Sequence, residues 1–134
     1  MVNVASPPAE VYDTSQVQLA KGAACSAWDK AARITAQASK ASAVALNSNP
    51  DYQSTASAAA LIDEKRTRTV ALNYLRTQLS PATPKEVAKP IELWIAASVD
   101  ELHALVQRSW ATAEVAQQKG NDLIDPVTHA CGLR

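Results

Sequence analysis

Phenylalanine is absent from this chain, and glycine is nearly absent, with three residues among 134. Because tight β-hairpin turns depend on glycine, so few glycines leave little room for a protein built from antiparallel strands. About a fifth of the residues are alanine, which is the strongest helix former and has a small side chain. The composition therefore predicts an all-α fold in which helices pack closely and a few large residues provide much of the buried surface.

The chain also lacks an excess of charge of either sign, since 13 basic and 13 acidic residues cancel. Without a net field to attract polyanions, nucleic-acid binding is not expected. No stretch approaches the roughly 18 consecutive apolar residues of a membrane-spanning helix, so no transmembrane segment is predicted. The first residues, MVNVASPPAEVYD, also lack the basic segment and apolar run of a signal peptide.

The apolar periodicity divides the chain into an arm and one helical domain. Residues 1–13 contain Pro7 and Pro8 and no periodic pattern, and we interpret them as a flexible N-terminal arm. The remaining residues, 14–134, have a length that a single hydrophobic core can serve. We therefore expect one domain over 14–134.

Two long helices are predicted in the first part of this domain. DTSQ offers cap residues for a helix over about 16–47, and Asn49 as a cap with Pro50 at the first helical position predicts a second helix that ends near Leu79. Apolar and small residues at spacings of three and four form one face on each helix. The first face consists of Cys25, Trp28, Ala32, Thr35, Ser39, Ala43 and Leu46, and the second of Ala58, Leu61, Leu72, Leu75 and Leu79.

A third helical pattern follows SPATPKE, where Thr83 and Glu86 have the spacing of a capping box and Pro84 suits the first helical position. The pattern continues towards Gly120, although Pro90 is expected to kink it. A short helical piece ending at Gly132 completes the chain. The predicted fold is an antiparallel bundle of three long helices and a C-terminal helical segment, resembling a four-helix bundle.

The two cysteines, Cys25 and Cys131, lie one near each end of the chain, as a disulfide that ties the ends together requires. For their Cα atoms to meet, the C-terminal segment must return along the bundle. A break between Ser98 and Gly120 allows this, and Ser98 with Glu101 has the spacing of a second capping box. The alternative is that both thiols are reduced in a cytosolic protein.

The segments CSAWDKAAR, which begins at Cys25, and ACGLR at the C-terminus resemble small exported Ala-rich helical proteins and lipoproteins of mycobacteria and related actinobacteria. The resemblance implies an extracytoplasmic location, secreted or in the cell envelope, rather than a particular chemistry. The sequence GAAC that ends at Cys25 does not fit a lipoprotein processing site, so a lipid on this cysteine is not predicted.

A charged band, DEKRTRT at residues 63–69, interrupts the apolar face of the second helix. One interpretation is a solvated segment with ion pairs such as that between Glu64 and Arg68. The other is that Lys65 or Arg68, which fall on the apolar face, project into the bundle and hold an anionic ligand or a partner's carboxylate. Both basic residues are therefore candidate ligand or partner residues.

His103 follows Asp100 by three residues, a spacing that occurs in di-iron helical bundles. Such sites need a second pair and two further inward glutamates, and the one other histidine, His129, has no matching set. No metal site is predicted, and His103 is kept as a candidate ligand residue. Glycine-framed nucleophiles and phosphate-binding loops are also absent, so enzymatic activity is not expected.

The aromatic residues allow two interpretations. Trp28, Tyr74, Trp94 and Trp110 are typical core residues, yet beside small alanines they also suit an apolar cleft for a lipid, a sterol or haem. The secreted mycobacterial haem carrier is likewise small and helical, but no tyrosine and histidine here match a haem-ligand motif. No cofactor is predicted, with haem as the alternative.

Together these features predict a non-enzymatic, exported binding or accessory protein of the cell envelope that acts through protein interaction. A carrier of haem or lipid is the second hypothesis. An intracellular helical assembly component, which reduced cysteines would favour, is the third.

Overall fold

The computed structural model of the chain describes residues 11–48 and 54–133, and nearly all of them are helical. No strand occurs in this part of the chain, which confirms the predicted all-α class. The predicted cap at Asn49 and Pro50 and the first ten residues of the predicted arm lie outside the described residues. The four helices are α1 (Thr14–Ser48), α2 (Thr55–Thr77), α3 (Lys85–Val106) and α4 (Trp110–Cys131).

Side-chain caps define the starts of the first two helices. At α1, the Gln16 amide donates to Asp13 Oδ1 at 2.8 Å and the Asp13 amide donates to Gln16 Oε1 at 2.9 Å, which forms a capping box within the predicted DTSQ segment. At α2, the Ser57 amide donates to Ser54 Oγ at 3.1 Å. Both helices therefore begin where short polar side chains satisfy exposed N–H groups.

The capping box predicted at Thr83 is wrong. Pro84, with φ −56° and ψ 140°, occupies the N-cap position, and its carbonyl accepts from the Val87 and Ala88 amides. Thr83 instead closes the preceding turn through its own amide, which donates to the Ser80 carbonyl at 3.0 Å. Its hydroxyl is buried and has no hydrogen-bond partner among the described residues. Because Pro84 is the N-cap, α3 begins at Lys85, one residue later than predicted.

The third predicted helix breaks into two between Ser98 and Gly120, which confirms the predicted break, but the break is not at the predicted capping box. Ser98 lies inside α3 and is only 5% exposed, because it faces the bundle. The break falls at residues 107–109, where Arg108 adopts a left-handed backbone with φ 55° and the Ser109 amide donates to the Ala104 carbonyl at 2.9 Å. Gly120 lies within α4, which makes the C-terminal helix longer than predicted.

The helices form two antiparallel hairpins, α1 with α2 and α3 with α4. The two helices of a hairpin pack closely along their length, whereas the two hairpins approach each other at few positions. A disulfide joins Cys25 of α1 to Cys131 of α4, with Cα atoms 5.6 Å apart, and confirms the predicted closure. Gly132 ends α4 with a left-handed φ of 67°, as expected for a glycine at this position. The disulfide holds the two hairpins together at one end of the bundle.

The hydrophobic core is concentrated at this disulfide end. Trp28 of α1 and Trp94 of α3 pack edge to face, with ring centroids 6.1 Å apart. Leucines and branched aliphatic residues of the other helices surround them, namely Leu72, Leu75, Val87, Ile91 and Val127. Beyond Trp94 towards the α3–α4 loop, the interior becomes polar.

Candidate functional site

A cleft opens between α1 and α4 and reaches the interior between all four helices. We name it the α1–α4 cleft and divide it into two neighbouring lobes. The deep lobe, of about 230 Å³, is lined by Thr35, Arg68, Trp94, Ser98, Glu101 and Asn121 among others. The upper lobe, of about 340 Å³ and nearer the α3–α4 loop, includes Ser42, Glu64, Trp110 and Glu114. Ser39, Glu101 and Gln117 line both lobes.

Small side chains on the walls explain why the cleft stays open. The α1 wall carries Ala32 and Ala43, which continue the face that begins at Cys25 and Trp28, and also Ala36. On α4 the facing wall includes Ala113 and Gly120. The backbones of α1 and α4 come close to each other at few positions. The small side chains are too short to fill the gap that remains between the two helices. The predicted apolar face of α1 is thus buried near the disulfide and lines a cleft farther along.

An ion-pair network forms the floor of the cleft. Arg68 Nη1 of α2 donates to Glu64 Oε2 and to Glu101 Oε2 of α3, each at 2.9 Å, and Nη2 donates to Glu101 Oε1 at 2.8 Å. From α1, Ser39 Oγ donates to Glu64 Oε2 at 3.1 Å. One polar cluster therefore links three helices.

The network is almost fully desolvated, since Arg68 is 1% exposed and Glu64 is 8% exposed. Burial alone would lower the pKa of Arg68, but hydrogen bonds and charge from Glu101, and then from Glu64, outweigh it and raise this pKa above its ordinary value. The guanidinium therefore stays charged at physiological pH. Glu64 and Glu101 place two carboxyl groups against one guanidinium, so acidic groups outnumber basic groups at the floor.

Three polar atoms around the cleft are buried and have no hydrogen-bond partner among the described residues. They are Nε of Arg68, Oγ1 of Thr35 and Oγ of Ser42. Ser42 is only 4% exposed, although its side chain lines the upper lobe. Buried polar groups are normally paired, so these atoms mark places where a bound polar group would be stabilised.

The structure brings together three of the six candidate residues from the sequence. Arg68 and Trp94 line the deep lobe, and Trp110 lines the upper lobe. The interpretation of the charged band as a solvated segment is wrong for Arg68 and Glu64, which form the expected ion pair inside the bundle. Asp63 and Arg66 of the same band are exposed.

The other three candidates lie away from the cleft. Lys65 lines a separate depression between α2 and α3. Tyr74 is 40% exposed and lies beneath the ammonium of Lys30, which is 5.5 Å from the ring centroid. His103 is exposed in the last turn of α3. In the described part of the chain, no three His, Cys, Asp or Glu residues converge as metal ligands would.

Sequence reasoning missed the role of Glu101, which was assigned to a helix start. Its position on the apolar stripe of α3, between Ser98 and Leu105, was a usable signal, because an acidic residue on a buried stripe requires a cationic partner. Arg68 occupies the equivalent place on α2.

Within the described residues, none of the helices combines the length and apolarity needed to cross a bilayer. Comparison of the chain with protein families, curated proteins and solved structures gave no significant match. The interpretation of the cleft therefore depends on its own geometry.

Proposed function

We propose that this chain is a non-enzymatic binding protein that acts outside the cytoplasm, and that the α1–α4 cleft is its binding site for a small polar ligand. The observation that carries the proposal is the buried network of Arg68, Glu64 and Glu101 at the floor of an open cleft. If these residues served only to stabilise the bundle, apolar side chains at the same positions would stabilise it as well, because buried ion pairs contribute little net stability.

The charged floor favours a polar ligand over haem or a lipid. Haem and acyl chains bind in pockets lined mainly by apolar and aromatic groups. Here Trp28 and Trp94 pack against each other in the core, and Tyr74 lies at the surface under Lys30. Trp94 and Trp110 do line the cleft, but in different lobes and beside the charged floor, so the four aromatic residues are not gathered around one apolar pocket.

The extracytoplasmic location rests on the disulfide between Cys25 and Cys131, because disulfides persist in oxidising compartments and are rare in the cytosol. The resemblance to exported actinobacterial proteins implies the same location. An intracellular assembly component would be expected to keep both thiols reduced. The disulfide therefore favours export over the intracellular hypothesis.

Chemical-shift mapping tests the cleft as the binding site. The oxidised, isotope-labelled chain is titrated with a panel of small amines, alcohols and carboxylic acids, and the shifted amide signals are assigned. We expect saturable shifts that cluster on residues 32–43 of α1 and 113–124 of α4. Shifts scattered over all four helices, or confined to α2 and α3 surfaces outside the cleft, would contradict the proposal.

A second candidate function, protein interaction, is favoured by a depression of about 130 Å³ between α2 and α3. Ile62 and Val106, which are 49% and 55% exposed, lie at its edge beside Leu61 and Leu105. Exposed aliphatic residues around a depression are typical of a contact surface for another protein. Replacing Ile62 and Val106 with serine should abolish co-purification of a partner from the envelope fraction and leave folding unchanged.

A further inference from the structure

We propose that the α1–α4 cleft binds a small aliphatic ammonium compound that also carries a neutral hydroxyl group. This inference rests on the proposed function, because it names the ligand class of the same cleft. It follows from the charge of the floor, from the unused acceptor capacity of its carboxylates and from the unpartnered polar atoms on its walls.

The charge of the lining selects a cation. Glu64 and Glu101 oppose a single guanidinium, that of Arg68, at the floor. Glu114 adds a third carboxylate at the upper lobe, and among the described residues Arg68 is the one basic side chain that lines either lobe. An anionic ligand that reached Arg68 would meet two buried carboxylates, and like charges at this depth repel strongly.

The two buried carboxylates can also accept more hydrogen bonds than they receive. Ser39 and Arg68 together donate four hydrogen bonds to them. A carboxylate has about four lone-pair sites, so roughly half of the acceptor capacity of Glu64 and Glu101 is unused. An ammonium group brings up to about three donors and no acceptor, which matches this surplus.

The unpartnered atoms require a second polar group on the ligand. Ser42 Oγ, in a residue only 4% exposed, and Arg68 Nε have no partner among the described residues. The Nε–H needs an acceptor, and a carboxylate there would share one guanidinium with Glu64 and Glu101. A hydroxyl oxygen accepts without adding negative charge, as the Arg68 Nε–H requires, and the same kind of group suits Ser42 Oγ, which lines the upper lobe.

The walls between these polar groups suit a short aliphatic chain. Ala32, Ala36 and Ala43 of α1 offer methyl groups, and Ile124 of α4 lines the opposite side of the deep lobe. Methylene groups between an ammonium and a hydroxyl would contact these side chains and replace water there.

The test compares three matched two-carbon probes on the oxidised full-length chain by amide chemical-shift titration. The probes are ethanolamine as the cation, ethylene glycol as the neutral compound and glycolate as the anion. We expect ethanolamine to shift cleft resonances and to bind about ten-fold tighter than ethylene glycol, since a charge-assisted hydrogen bond is replaced by a neutral one. Glycolate should give no saturable shifts in the cleft.

Two variants with a matched control test the assignment. Glu114→Gln should weaken ethanolamine binding several-fold, and Glu92→Gln, which alters an exposed carboxylate on α3 outside the cleft, should leave it unchanged. Ser42→Ala should weaken binding and leave the unfolding midpoint equal or higher, because it removes an unpartnered buried hydroxyl. A purely structural role of Ser42 would lower the midpoint instead.

The outcomes separate the ligand class from the function itself. Glycolate binding in the cleft more tightly than ethanolamine, or equal binding of all three probes there, overturns the ammonium assignment and leaves the cleft as a binding site. No saturable binding of any probe in the cleft overturns both proposals. Equal weakening by Glu92→Gln and Glu114→Gln overturns the assignment as well.

Discussion

At the scale of single residues, the position of Arg68 has the largest consequence. Its side chain is 2% exposed and pairs with both Glu64 and Glu101. Arg33, in contrast, pairs with Asp29 on the same helix with 75% of its side chain exposed. The same kind of ion pair is therefore buried in one place and solvated in the other. Replacing the arginine is expected to change the free energy of unfolding much more at the buried pair.

Replacing Arg68 with methionine should lower the free energy of unfolding by about 3–5 kcal/mol, because Glu64 and Glu101 are left buried without their counter-charge. Arg33→Met is the matched control and should change it by no more than about 0.5 kcal/mol. Urea unfolding followed by circular dichroism measures both. Similar losses for the two variants would show that the floor of the cleft is more hydrated than the structure indicates.

At the scale of the helices, the starts of α2 and α3 differ in how their polar groups are satisfied. Ser54 caps α2 through the Ser57 amide. Thr83 has a typical capping side chain, yet its hydroxyl is buried beside α3 and finds no partner in the described part of the chain. The extended backbone of Pro84 separates Thr83 from the helix and leaves it unable to cap.

This difference predicts opposite effects of two substitutions. Ser54→Ala should destabilise the protein by about 1 kcal/mol through loss of the cap. Thr83→Val, which keeps the shape and removes the unpartnered hydroxyl, should stabilise it by about 1 kcal/mol. Thermal unfolding of both variants beside the unchanged protein measures the effects. A loss of stability in Thr83→Val would mean that the hydroxyl is hydrogen-bonded in solution.

At the scale of the whole molecule, the disulfide connects residues 106 positions apart and joins the two hairpins. On the chain-entropy account, closing a loop of this size stabilises a fold by about 4–5 kcal/mol, which is comparable with the net stability of a small domain. Because alanine contributes little buried area, this bond provides a large part of the stability of the bundle.

Intact mass after alkylation in denaturant, with and without prior reduction, should show no labelled cysteine until the protein is reduced. Reduction should lower the free energy of unfolding by about 4–5 kcal/mol. A Cys25→Ala, Cys131→Ala double variant is the control, since a reducing agent should not alter its stability. Labelling of both thiols without reduction would contradict the disulfide and the extracytoplasmic location together.

Much of the fold followed from local patterns. The helical class came from alanine and the scarcity of glycine, the start of α1 from DTSQ, and the end of α4 from Gly132. Local patterns were wrong where several signals compete, as at Thr83 and Ser98. There the tertiary packing decided where the helices begin and end. Ser98 faces the bundle, and the break at Arg108 has no glycine that would indicate it in the sequence.

The amino-acid sequence by itself determined that the protein is helical, but it left open whether Cys25 and Cys131 are paired or reduced. The structure joins them. Only the tertiary structure decided that Arg68 meets Glu101, 33 positions away, and that the wall of α1 faces a cleft instead of a filled core. The physical reason is that propensity and capping act within a few residues, whereas charge pairing and cavity shape depend on how separate helices meet.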